Sequence, residues 1–169
     1  NDLIISGVSG GDEGIRGFLA AYRASTGEEV WRFWTIPAPG EPLAETWIGR
    51  ALEYGCGGTW LTGTYDPDVD LLYWTVGNPC PDHDGTERLG DNLYTSSVVA
   101  LDPNDGTLRW YFQFTPHDLH DWDAQQTSMV VDAMFEGKPR QLLIQASWNG
   151  FFYVLDRRNG ELISAEKFA

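Results

Sequence analysis

An eleven-residue unit recurs in this chain, and a repeat of that kind restricts the fold more than any other feature. Residues 21–31 (Ala-Tyr-Arg-Ala-Ser-Thr-Gly-Glu-Glu-Val-Trp) align with residues 100–110 (Ala-Leu-Asp-Pro-Asn-Asp-Gly-Thr-Leu-Arg-Trp), with Ala, Gly and Trp at the first, seventh and eleventh positions. A weaker third copy runs from Val154 through Asp156 and Gly160, with Ser164 in the tryptophan position. Each copy reads as a strand, a tight turn closed by Gly, and a second strand, which is the signature of a β-hairpin.

The segments between the copies supply further strands. Trp60 to Tyr65 and Leu71 to Thr75 precede the hairpin of Ser97 to Leu101 and Leu108 to Phe114. Ser128 to Asp132 and Gln141 to Ala146 precede that of Phe151 to Asp156 and Glu161 to Ala165. Leu3 to Ser6, Phe18 to Tyr22 and Val30 to Thr35 make a unit without its first strand. Four strands per repeat is a propeller blade, so the expected fold is all-β: about two and three-quarter four-stranded blades, over roughly residues 1–36, 58–114 and 127–169. The 19 glycines, 9 prolines and 14% aromatic content suit short strands and tight turns, not a helical bundle. A propeller closes with roughly four to eight blades, and the chain starts at Asn1 without Met, so it reads as part of something longer whose remaining blades are implied partners.

Composition excludes two classes of partner. A formal charge of −14 disfavours nucleic acid, and no apolar run approaches the length of a transmembrane segment. Cys56 and Cys80 fit no zinc spacing and define no disulfide framework, so they read as buried or free thiols.

The unit Ala-x-Asp-x-x-Thr-Gly-x-x-x-Trp resembles the tryptophan-docking motif of the quinoprotein alcohol dehydrogenases, matching least at Arg23 and Ser164. Residues 9–17, Gly77-Asn78-Pro79, Gly90-Asp91-Asn92, residues 115–118 and 149–157 resemble that family in the same order, covering nearly the whole chain. The resemblance implies an eight-bladed propeller that binds pyrroloquinoline quinone (PQQ) and a metal ion. In such a fold Trp31 and Trp110 lock neighbouring blades. Trp34, Trp47, Trp74 and Trp148 read as core, while Trp60, at the start of an inner strand, is by resemblance the indole on which PQQ stacks.

The resemblance also implies the site residues. Ser9, Gly10 and Gly11 match cofactor-binding positions, and Thr59 joins them. Asp12, where the family carries Glu, and Asn78 lie in equivalent loops one blade apart and supply oxygen to a hard cation; the resemblance leaves open whether Asp12 or the adjacent Glu13 reaches it. Asp121 is implied as catalytic base and metal ligand. Asp123, two residues on, matches the pattern of the lanthanide-dependent members, with calcium as the alternative ion. His117, Asp118 and His120 read as loop-structuring residues. Trp148 stands where the family has a basic residue near the quinone oxygens. The implied activity is oxidation of an alcohol, with a c-type cytochrome as electron acceptor and the periplasm as location; the rival is a non-catalytic propeller of the same repeat, acting as a binding or assembly scaffold.

Overall fold

The computed structural model describes residues 2–169, which form three antiparallel sheets and two single-turn 3₁₀ helices. The first sheet contains β1 (Leu3–Ser6), β2 (Phe18–Arg23) and β3 (Glu29–Trp34). The second contains β4 (Thr64–Asp66), β5 (Leu71–Val76), β6 (Ser97–Leu101) and β7 (Leu108–Gln113). The third contains β8 (Met129–Phe135), β9 (Lys138–Ala146), β10 (Phe151–Asp156) and β11 (Leu162–Lys167). Within each sheet every strand pairs with its sequence neighbour, the meander of a propeller blade.

The three repeats share one hairpin geometry down to single residues. The closing glycines Gly27, Gly106 and Gly160 have φ of 74°, 73° and 75°, in the left-handed region that glycine enters without penalty. Their N–H groups donate to the carbonyls of Arg23, Asp102 and Asp156 at 2.8, 2.9 and 2.8 Å. A bulge follows Ala21, Ala100 and Val154 in each case. Asp102 and Asp156 add a side-chain bond, each Oδ1 accepting the N–H two residues on at 2.9 Å; Arg23 cannot, which is the physical content of its poor match to the repeat.

The tryptophans act between sheets. A Cβ on Gly106 would lie 2.5 Å from the Trp31 ring, and one on Gly160 would lie 2.5 Å from the Trp110 ring, so each indole rests on bare backbone of the next unit. Trp31 Nε1 donates to the Pro103 carbonyl at 3.1 Å, whereas Trp110 Nε1 is buried without a partner. The middle sheet is covered on both faces, and the alternation of a strand divides its residues. Leu72, Trp74 and Val76 pack with Leu19 and Trp31 of the first sheet, while Leu71 and Tyr73 pack with Leu143 and Leu155 of the third. That is why all six residues of β5 are buried.

Four sequence expectations need correction. Cys56 and Cys80 form a disulfide, with Cα atoms 5.3 Å apart. Bridges from Cys56 to Arg16 and to Pro79 bring them together, a proximity that a spacing of 24 residues does not reveal. Trp60 is not in an inner strand: β4 starts at Thr64, and Trp60 lies in the preceding loop. Trp148 is not core but 62% exposed. Finally, β8 and β9 extend to a tight turn at Glu136 and Gly137, both with positive φ, the pattern of a two-residue hairpin.

Candidate functional site

The loops β1–β2, β5–β6 and β7–β8 and the approach to β4 meet on one face. Their floor is backbone. Gly58 O accepts the Gly77 N–H at 2.8 Å and the Gln125 side-chain amide, and the Gly57 N–H donates to Asn78 O at 3.0 Å. Glycine leaves room there for the site side chains: a Cβ on Gly77 would stand 2.7 Å from Asp123 Oδ1 and displace it, and one on Gly11 would stand 3.2 Å from Asn78 Oδ1. The Cys56–Cys80 disulfide pins the same floor, since residue 80 follows Asn78 closely and residue 56 precedes Gly58.

Asp118 builds the loop that carries the two later acids. It is buried, and its Oδ1 accepts the His120 N–H at 2.8 Å while its Oδ2 accepts the Trp122 N–H at 2.9 Å. The wrapped segment holds Asp121 and Asp123 at φ of 59° and 45°, which aspartate tolerates better than most residues but which still costs energy. Asn78 is fixed from the other side: its Nδ2 donates to Asp82 Oδ1 at 2.6 Å.

The electrostatics are those of acids short of counter-charge. Burial pushes the Asp123 carboxyl up to about 6; the charge of Asp121 adds to this, and the backbone N–H of Asn78 opposes it. Burial, then the charge of Asp12, raises Asp121. Burial, then Asp12 and Asp121, raises Asp82. One buried oxygen, Asp123 Oδ1, has no hydrogen-bond partner. Among the described residues, no three His, Cys, Asp or Glu side chains are arranged to hold a metal ion, so the acids are coupled through space without being gathered on one point. A buried carboxylate oxygen without a hydrogen-bond partner, within the field of the Asp121 and Asp12 charges, nevertheless has the chemistry that a hard cation takes.

Trp60 is 46% exposed, with its ring edge 3.6 Å from where a Gly58 Cβ would sit, and Gly58 in turn faces Gly11. A bare indole beside two glycines leaves a flat surface suited to a planar ligand. Gly10, with φ of 105°, turns the first loop, and Ser9 is exposed beside it. Thr59 is placed differently. It is buried, and its hydroxyl donates to Phe18 O at 2.7 Å and accepts the Val8 N–H at 2.9 Å, so it stitches the floor together rather than facing the opening. Trp148 joins the face indirectly, its N–H directed at Gln126 Oε1 (3.4 Å), while Gln126 Nε2 donates to the Asp123 carbonyl at 3.0 Å. His120 stacks on Trp122 at 5.1 Å, and His117 Nδ1 meets Gly90 O at 2.9 Å.

Sequence reasoning misses Asp82, Gln125 and Arg88. Asp82 carries a weak signal, a fourth acid near Asn78; the other two are meaningful only through contacts distant in sequence.

Comparison with known proteins gives one consistent answer. The family model described as the β-propeller domain of glucose/ethanol/alcohol dehydrogenase, PQQ, matches residues 1–165. The chain is 46% identical over 178 residues to quinohemoprotein alcohol dehydrogenase ADH IIB of Pseudomonas putida, covering 98% of this chain and 26% of that protein. It is 36% identical over 185 residues to a lanthanide-dependent methanol dehydrogenase of Methylorubrum extorquens, covering 99% of this chain and 31% of that protein. The solved structure of a europium-containing methanol dehydrogenase superposes with a TM-score of 0.94 at 34% identity, over 100% of this chain and 32% of the other. The chain thus spans between a quarter and a third of the length of these relatives. The repeated docking hairpins, the meandering blades and the match over nearly every residue show that this chain belongs to the PQQ dehydrogenase β-propeller family.

Proposed function

We propose that this chain forms part of a dehydrogenase that oxidises an alcohol to an aldehyde or ketone, with PQQ and a metal ion held on the loop face. The observation that carries the reading is the buried, unbonded Oδ1 of Asp123 among Asp12, Asp82 and Asp121. Such crowding costs energy unless a cation offsets it. Asp12, Asn78, Asp121 and Asp123 would hold the ion, with Asp82 fixing the Asn78 amide so that its oxygen stays free. Trp60 would stack on the planar cofactor, with Ser9, Gly10 and Gly11 at its edge and Thr59 supporting the floor. When bound, PQQ supplies an electrophilic quinone carbonyl that accepts hydride.

Asp121 is the general base. It accepts the hydroxyl proton of the alcohol at its carboxylate, and the loop wrapped around Asp118 orients it. Asp123 sets the ion: a third carboxylate beside Asp12 and Asp121 favours a trivalent over a divalent cation, because each anionic oxygen gains more from the higher charge. One relative is lanthanide-dependent and one solved neighbour contains europium, which supports this choice. A c-type cytochrome would take the electrons, and the periplasm would be the setting.

Two measurements on the full-length protein test the reading. Asp121→Asn keeps size and hydrogen bonding but cannot take the proton, so turnover should fall about 10²- to 10⁴-fold while PQQ absorbance is retained. Activation of the metal-free form by La³⁺ should exceed that by Ca²⁺, and Asp123→Ala should reduce the preference. Turnover within a few-fold of the unmutated protein removes Asp121 from the mechanism, and equal or better activation by Ca²⁺ overturns the lanthanide assignment. A protein that takes up neither PQQ nor ion is a scaffold.

A further inference from the structure

Arg88 has no place in that mechanism, yet it is 0% exposed and the largest of the fully buried side chains. Its guanidinium makes four hydrogen bonds, all to neutral oxygens. Nε donates to Pro81 O at 2.8 Å, Nη2 to Asp82 O at 2.8 Å and to Asp118 O at 2.7 Å, and Nη1 to Asn92 Oδ1 at 3.0 Å. Asn92 closes the ring, its Nδ2 donating back to Arg88 O at 2.6 Å. Buried arginines are ordinarily matched by a carboxylate in direct contact. Here the surrounding charges, Asp118, Asp82 and Asp84, act only from a distance, and every one of these bonds holds backbone or amide oxygen.

The backbone held is that of the site. Pro81 and Asp82 belong to the loop that presents Asn78, and Asp118 begins the segment that presents Asp121 and Asp123. We propose that Arg88 is a positioning residue: its planar fork joins these two loops and sets the separation of the ligands that each contributes to the cation. The arrangement needs a fork. Arginine offers five donors in fixed directions, whereas lysine offers three on one nitrogen and cannot span four acceptors spread over three segments. The inference rests on the reading above that this face binds a metal ion, and its test separates the two.

The experiment uses Tb³⁺ on the metal-free full-length protein, with luminescence lifetimes in H₂O and D₂O to count waters on the bound ion. Arg88→Lys is compared with Arg157→Lys, a second buried arginine remote from this face. Arg88→Lys should weaken Tb³⁺ binding by about 10- to 100-fold, the usual cost of losing a residue that orients metal ligands, and should add water to the ion as one loop falls away. Arg157→Lys should lower the melting temperature and leave affinity and lifetime unchanged. If Arg88→Lys does not fold, Asn92→Asp serves: it retains a residue that tolerates the φ of 59° and draws the guanidinium off the two loops, again adding water to the ion. Unchanged affinity and lifetime in the variant that folds overturns the role of Arg88. Failure of the unmutated protein to bind Tb³⁺ overturns the cation site and this inference together.

Discussion

At the seam between the second and third sheets, the buried Asp66 meets Arg157 at 2.5 Å, and the same guanidinium reaches Asp132 at 2.6 Å and Asp68 at 3.3 Å. On the loop face, Asp12, Asp82, Asp121 and Asp123 repel one another. The buried arginine there gives its hydrogen bonds to neutral oxygens instead. Both regions bury negative charge, but only the seam contains its own counter-charge in contact. Acids answered within the chain tie the second and third sheets together; acids left unanswered are those that the proposed cation would neutralise, and that difference separates the seam from the candidate site.

The largest effect should come from breaking the seam. Arg157→Leu strands Asp66 in the interior and should destabilise the protein by about 3–5 kcal/mol, read by chemical or thermal unfolding. A loss below about 1 kcal/mol would mean that Asp66 does not depend on its partner. Removing a carboxylate from the loop face should do the opposite. Asp123→Asn deletes an uncompensated charge whose carboxyl burial pushes up to about 6. The metal-free protein should therefore gain about 1–3 kcal/mol at neutral pH while losing stabilisation by a trivalent ion. A lower melting point of the metal-free variant would erase the contrast.

A finer comparison lies between the two seams. Trp31 donates to Pro103 O, while the equivalent nitrogen of Trp110 has no partner. The equivalent carbonyl, that of Arg157, accepts the Tyr73 hydroxyl at 2.7 Å. Trp31→Phe should accordingly cost about 1 kcal/mol more than Trp110→Phe, the value of one buried hydrogen bond. Equal losses in a melting experiment would show that ring packing on Gly106 and Gly160 decides both.

The part of the molecule legible in the amino-acid sequence is the part that repeats. Gly106 and Gly160 declare a turn and a bare surface, and Trp31 and Trp110 declare what lies on it. The resemblance built on those residues brings Asn78, Asp121 and Asp123 into one candidate site. Trp60 is legible as an unusual indole, but its strand assignment fails because alternation over a short apolar stretch does not say where pairing begins; Gly63 and the edge position leave β4 only from Thr64. Trp148 is misplaced for a related reason, since an indole in the chain carries no sign of which loop lifts it into solvent.

Hairpins depend on contacts a few residues long, so the sequence by itself determined the blade, its turns and the family to which it belongs. Contacts across tens of residues were settled only in three dimensions. They join Cys56 to Cys80, bring the Arg88 fork to Asp118, and turn the Thr59 hydroxyl inward to Phe18 and Val8. No local preference encodes such pairings, because each depends on where two independently formed loops come to rest on the sheets that carry them.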